Sequence, residues 1–293
     1  MLDVVGPESL TVIANTGDDI EIYGGYVSPD PDLITFWLAD QIDSRGWGLE
    51  GDTFNVMDGL RALGREIWFN LGDRDLAIAL DRAEALARGE RLTTALVKLA
   101  RSFGVKARVL PMSDQPVRTR VAAAGRWWPL QEFLIQGREI TEVEDVDFRG
   151  AAAAQPTIEV LEAIAEADVI LIGPSNPVIS IGPILAIDRL RDAITAAGAP
   201  VVAVSPIVGG SILKGPTAAF MRARGVSVSA SGLETLYAGL VDGLVADEPG
   251  DSVPTLQTDL LMNGSDGRRR LASEALAFGT ALGGSPSNQL PHP

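Results

Sequence analysis

The sequence predicts an α/β protein in which a doubly wound, mainly parallel sheet carries a mostly helical insertion. Three observations predict it. Short uninterrupted apolar runs such as "DVILIG" and "PVVAVS" are of the kind buried on both faces of a parallel sheet. Segments with helical apolar spacing separate those runs, and residues 31 to about 105 keep that helical spacing almost throughout. At 293 residues the chain exceeds an average domain, yet a single α/β domain with an insertion reaches this size.

From Pro156 the alternation is regular. "PTIEVLEAIAEA" sets Ile158, Leu161, Ile164 and Ala165 on one helical face, with Pro156 suited to the first turn. "DVILIG" is the next strand. Ile184, Ile187, Leu190 and Ile194 mark a helix that Gly198 ends, and "PVVAVS" completes a βαβ unit. Further on come a short helix around Phe220, a strand at "VSVSA", a helix at "LETLYAGL", a strand at "GLVAD" and a last helix through "RRRLASEALAFGTAL". In the insertion, "DLITFWLADQI", "FNVMDGLRALG", "DLAIALDRAEALARG" and "TTALVKLARSFG" are helical, followed by strands at "ARVLPM", "RTRVAAA" and "RWWPLQEFLI", the last two joined at Gly125. The expected organisation is a Rossmann-like core of residues 1–30 and 151–282, an insertion over 31–150, and a flexible tail over 283–293.

Composition narrows the chemistry. A net charge of −15 and a pI near 4.5 disfavour nucleic acid and anionic lipid as partners. There is no cysteine, and the one histidine, His292, stands in the tail, so thiolate chemistry, a histidine base and a histidine-rich zinc site are all hard to build. Carboxylates, hydroxyls, amides and a hard metal remain. The uncharged stretch 169–187 is long enough to span a membrane, but Pro174, Pro177 and Pro183 break it, and it predicts strand, loop and helix start. With no signal peptide evident, a cytoplasmic protein is expected.

Five short stretches hold candidate site residues. "NTGDD" delivers Asn15, Thr16, Asp18 and Asp19 to the carboxyl edge of the sheet, where α/β proteins bind ligands; adjacent carboxylates suit Mg²⁺, while an unliganded turn has the same residues. "GPSNPVISIGPI" places Gly173, Ser175 and Asn176 in an unusually long strand-to-helix loop whose amides suit a phosphate or nucleotide. In "NLGDRD", Arg74 has the planar fork for a phosphate, and Asp73 and Asp75 equally suit a helix start. "PMSDQPV" offers Ser113 and Asp114, and "SPDPDL" offers Asp30 and Asp32; each is also an ordinary turn or cap. The glycines of "VSPIVGGSILKGP" with Lys214 would sit beside a phosphate, or form a plain turn.

In this order, "NTGDD", "SPDPDL", "DQID", "GWGLEGDTF", "LGDRD", "LPMSDQPV", "GPSNPVISIGPI" and "SPIVGG" resemble the 2-phospho-L-lactate transferase family, over nearly all of residues 10 to 215. The resemblance implies transfer of a phospholactyl or enolpyruvyl-phosphoryl group from a guanosine diphosphate adduct to the ribityl hydroxyl of a deazaflavin precursor. GMP is released and the core of coenzyme F420 completed. It implies Mg²⁺ as cofactor, small-molecule substrates and a homodimer. Asp18 is then the Mg²⁺ ligand and Asp32 a precursor-binding carboxylate that orients or deprotonates the hydroxyl. Arg74 assists the charge, Asn70 stands where some members have a precursor-contacting lysine, and Gly173, Ser175 and Asn176 meet the nucleotide. Asn15, Thr16, Ser113 and Asp114 complete the expected substrate-binding set.

Family members open with a strand and a Gly-rich phosphate loop, whereas "LTVIANTGDD" resembles their second strand and "MLDVVGPES" the end of the first helix. A missing first βα unit is therefore expected, through a late start codon, a fragment or real loss. Two other readings follow: a non-catalytic nucleotide-sugar-binding regulator of a related branch, and a truncated inactive paralogue.

Overall fold

The computed structural model describes residues 1–213 and 215–284. Lys214, His292 and nearly all of the expected tail lie outside the described residues. The chain begins with the one-turn helix α1 (Leu2–Val5) and a 3-10 turn (Pro7–Ser9), then enters β1 (Thr11–Ala14) and the hairpin β2 (Ile20–Ile22) and β3 (Gly25–Val27). Helices α2 (Pro29–Leu38), α3 (Asn55–Ala62), α4 (Asp73–Ala87) and α5 (Leu92–Ser102) lead to β4 (Arg108–Pro111). Next come β5 (Arg118–Ala123), β6 (Arg126–Pro129), α6 (Leu130–Gln136) and β7 (Asp145–Arg149). The C-terminal half runs α7 (Ile158–Ala165), β8 (Ile170–Ile172), α8 (Gly182–Leu185), α9 (Asp188–Thr195) and β9 (Val201–Val204). It continues through the small hairpin β10 (Ile207–Val208) and β11 (Ser211–Ile212), then α10 (Thr217–Ala223), α11 (Ala230–Leu236), β12 (Gly243–Ala246), β13 (Thr255–Gln257) and α12 (Gly264–Gly283).

The expected α/β architecture is present. Strands β8, β9, β12 and β13 form a four-stranded sheet in the order β13-β12-β9-β8, with every pairing parallel. All four residues of β9, and all four of β12, are buried, because helices cover both faces. On one side Val202, Val204 and Val245 pack with Leu271 and Ala275 of α12. On the other, Val201, Ala203, Leu244 and Ala246 share a core with Val160, Leu190, Ile194 and Leu233 from α7, α9 and α11. Side-chain caps start two of these helices: Thr157 accepts from the Val160 amide, and Ser229 from the Gly232 amide.

A second parallel pair, β1 with β4, joins Thr11 to Arg108 and Ala14 to Pro111, and Leu110 and Met112 beside it enter the same core as β9. The boundaries drawn at residues 31 and 150 cut across this pairing, since β4 lies inside that range. A three-stranded antiparallel sheet, β6-β5-β7, stands beside the loop after β8. The apolar stretch 169–187 is strand, loop and short helix, and among the described residues no helix is long and apolar enough to cross a membrane.

Two expected strands differ. "RWWPLQEFLI" leaves the sheet at Pro129, and Leu130 and Phe133, one helical turn apart, are buried by α6. "VSVSA" is not extended pairing: Ser229 is committed to capping α11 and Ala230 already belongs to that helix.

Candidate functional site

At the carboxyl end of β1 the chain turns sharply, and the side chain of Asn15 organises the turn. Its Oδ1 accepts from the Gly17 amide at 2.7 Å, the local bond that Asn makes so readily in turns. Its Nδ2 has two hydrogens and faces three acceptors: Asp30 Oδ2 at 3.0 Å, Asp18 Oδ1 at 3.3 Å and the Ile179 carbonyl at 3.5 Å. One amide thus ties the turn to the start of α2 and to the long loop after β8. The second oxygen of Asp18 accepts from Gln131 Nε2 of α6 at 2.9 Å.

Gly17 makes this convergence possible. A Cβ built on it would stand 2.7 Å from Thr119 Oγ1, 2.8 Å from Asn15 Oδ1 and 2.8 Å from Pro183 Cβ. The Gly17 carbonyl accepts from the Thr119 amide of β5 at 2.6 Å. The hydroxyls of Thr16 and Thr119 are buried here without a hydrogen-bond partner among the described residues.

Asp18 is buried and Asp30 half-buried beside it, and among the described residues neither forms an ion pair. Burial, followed by the charges of Asp30 and Asp19, holds the Asp18 carboxyl well above the usual carboxylate range, and burial also pushes Asp30 up. Asp19 faces another way. It accepts from Ser28 Oγ at 2.7 Å and the Tyr26 hydroxyl at 2.9 Å, and burial raises it to about 7 against the pull of these donors and of Arg118 and Arg82.

Asp32, expected to handle the acceptor hydroxyl, is held by Arg82 of α4. Nη1 donates to Oδ2 at 3.1 Å, Nη2 donates to Oδ1, and the guanidinium side chain is 2% exposed. Burial presses this carboxyl upward and Arg82 pulls it back. With both oxygens engaged by a bidentate partner, Asp32 fits an orienting carboxylate better than a free base.

The other expected residues divide. Asn176 belongs with the cluster: its Oδ1 accepts from the Val178 and Ile179 amides, shaping the loop that brings the Ile179 carbonyl to Asn15, and its Nδ2 is buried without a partner among the described residues. Gly173 and Ser175 are exposed at the tip of that loop. Ser113 and Asp114 do other work. Asp114 accepts from the Thr93 amide and hydroxyl at the start of α5 and pairs with Arg91 at 2.7 Å; Ser113 Oγ donates to the Gln155 carbonyl at 2.7 Å. Asn70 accepts from Arg61. Arg74 stands at the start of α4, with its amide on Asp52 and its guanidinium donating to the Glu50 carbonyl at 3.1 Å, apart from the Asn15 network.

Mg²⁺ takes oxygen ligands, needs few from protein, and keeps waters and substrate phosphates for the rest. Among the described residues no group of three or more acidic, His or Cys side chains forms a ligand cage. The pair Asp18 and Asp30, with no ion pair among the described residues, matches the smaller demand, so the donor set fits.

Asp30 was one of two carboxylates in a turn-like motif, and nothing in the sequence singled it out from Asp32. Gln131, Thr119 and Arg82 have no sequence signal, since each reaches the site only through tertiary packing.

A family model described as 2-phospho-L-lactate transferase CofD matches residues 2–261. The chain belongs to that family. Among curated relatives, the 2-phospho-L-lactate transferase of Methanosarcina mazei is 41% identical over 247 residues, covering 84% of this chain and 81% of the relative. That of Methanocaldococcus jannaschii is 36% identical over 286 residues, with 94% and 91% covered. The phosphoenolpyruvate transferase of Thermobifida fusca is 42% identical over 249 residues, with 83% and 77% covered. The chain is thus similarly identical to relatives of either name. A solved structure from Bacillus halodurans, described as a member of the upf0052 family, superposes with a TM-score of 0.57 at 17% identity, covering 90% of each chain, which supports the fold.

Proposed function

We propose that the chain is a Mg²⁺-dependent transferase of the 2-phospho-L-lactate transferase type. It moves a phospholactyl or enolpyruvyl-phosphoryl group from a guanosine diphosphate adduct to the ribityl hydroxyl of the deazaflavin precursor, releasing GMP, in coenzyme F420 biosynthesis. It works in the cytoplasm, as a homodimer. The observation that carries the reading is the Asn15 amide shared between buried Asp18 and half-buried Asp30, two carboxylates that form no ion pair among the described residues.

Phosphoryl-type transfer needs alignment and charge stabilisation more than covalent help from protein, which suits a chain with no cysteine and one tail histidine. A divalent cation would be held by Asp18 and Asp30 and, when bound, supplies positive charge against the donor's diphosphate. Asn15 and Gln131 keep Asp18 aimed inward. Asn176 Nδ2 is a spare donor on the loop proposed to meet the nucleotide. Asp32, fixed by Arg82, orients the acceptor rather than deprotonating it.

The test incubates the chain with Mg²⁺, the deazaflavin precursor and either donor, and follows coenzyme product and GMP by chromatography. Equal release of both products is expected. Asp30→Asn and Asp18→Asn should lower turnover at least 100-fold and weaken Mg²⁺ binding, whereas Asp32→Asn should mainly raise the KM for the precursor. Full turnover in Asp30→Asn would overturn the assignment of that residue. No product from either donor, together with no precursor binding, would overturn the transferase reading.

A further inference from the structure

Against the loop after β8 lies a cavity of about 230 Å³. Its walls are apolar: Phe148 of β7, Pro177 and Val178 of the loop, Leu185 of α8 and Leu236 of α11 contribute. Three polar side chains also line it, namely Tyr237, Arg191 and Arg224.

The Tyr237 side chain is 3% exposed, and no hydrogen bond to its hydroxyl is found among the described residues. The hydroxyl itself is accessible at the cavity wall, where an occupant rather than the protein can meet it. Burial alone pushes its pKa up, with no charged or hydrogen-bonding neighbour contributing. Arg191 donates one bond, from Nη2 to the Ala238 carbonyl at 3.1 Å, and forms no ion pair among the described residues. Arg224 donates from Nη2 to the Val146 carbonyl at 2.9 Å, lies 5.8 Å from the centre of the Phe148 ring, and stands 3.7 Å from the largely exposed Asp145. A guanidinium carries five donor hydrogens, so both arginines retain unused donors at the cavity.

We infer that this cavity is a binding site for a small organic anion, a carboxylate on an apolar body about the size of a benzene ring. The arginines meet the carboxylate, Tyr237 supplies a hydroxyl, and the apolar walls take the body. An apolar cavity of roughly 150 Å³ accepts benzene, so the space suffices for a ring bearing a carboxylate. Because Pro177 and Val178 form its wall while the next residue, Ile179, carries the carbonyl bonded to Asn15, an occupant braces that loop. The site is separate from the Asp18 and Asp30 pair and does not depend on the proposed reaction.

Benzoate is the probe. Calorimetric titration of the full chain should show saturable binding at one site, and uncharged benzyl alcohol should bind at least tenfold more weakly. Arg191→Met and Arg224→Met, each checked for an unchanged circular dichroism spectrum, should weaken benzoate at least tenfold, and Tyr237→Phe should weaken it several-fold. Hydrogen exchange of the amides of residues 178–186 should slow when benzoate saturates wild type, and should not change at the same concentration in Arg191→Met. Absence of saturable benzoate binding, or binding that both arginine variants retain in full, would overturn the inference.

Discussion

The guanidinium of Arg82 meets both oxygens of the Asp32 carboxylate, joining α4 to the first turn of α2 across a sequence distance of 50 residues. The same Arg82 also donates to the Tyr26 carbonyl at 3.0 Å. Removing one partner of a buried pair leaves the other charge uncompensated, which costs about 3–5 kcal/mol. Arg82→Met is expected to lose stability in that range by urea unfolding, and Asp32→Asn less, since the amide keeps one acceptor for the guanidinium. Equal stability of Arg82→Met and wild type would deny the pair its structural role.

The raised carboxyls give a definite pH signature. Asp19, held at about 7 in the fold against about 3.9 in an unfolded chain, binds its proton more tightly when folded. Its contribution is therefore full below about pH 4 and is lost as pH rises to 7, at up to about 1.4 kcal/mol per pH unit. Asp75, also at about 7 through burial and the nearby charges of Asp52 and Asp32, acts in the same direction. In metal-free buffer the stability of Asp19→Asn minus that of wild type should grow between pH 4 and 7. A flat difference across that window would contradict the assignment.

Gly17→Ala tests the convergence of the turn, β5 and α8. The added methyl meets three atoms closer than 3.0 Å, two of them in short or rigid groups, so something must move. A cost of roughly 1–3 kcal/mol is expected from overpacking. The check is a thermal melt paired with turnover, and both should fall. A melt unchanged within error would show that the neighbours yield freely.

Asp114→Ala should separate structure from chemistry. The loss of its bonds to Thr93 at the start of α5 is expected to cost about 1 kcal/mol. The KM for either substrate should stay within twofold. A large change in KM with an unchanged melt would return Asp114 to the substrate-binding set.

How far the sequence speaks differs by element. The buried parallel strands were legible because "VVAV" and "GLVA" carry no polar residue to turn outward. The β2–β3 hairpin was not, because its turn is Tyr23–Gly24 rather than an asparagine–glycine pair; Tyr23 sits at φ +54° and Gly24 at +86°. In the site, "NTGDD" announced itself through its turn chemistry. Asp114 looked equivalent in sequence and differs only because Thr93 and Arg91 happen to fold against it. Arg82 and Gln131 sit in unremarkable helical segments, and their roles arise from what packing sets them against, the start of α2 for Arg82 and the turn after β1 for Gln131.

The crowding at Gly17 also bears on when the site comes into existence during folding. Residues 119 and 183 must both reach Gly17 before the turn is enclosed, and contacts so distant along the chain form late relative to local ones. Ligand capacity should then appear in one step with the last long-range packing, so a refolding experiment read through Mg²⁺ binding would lag one read through helix content.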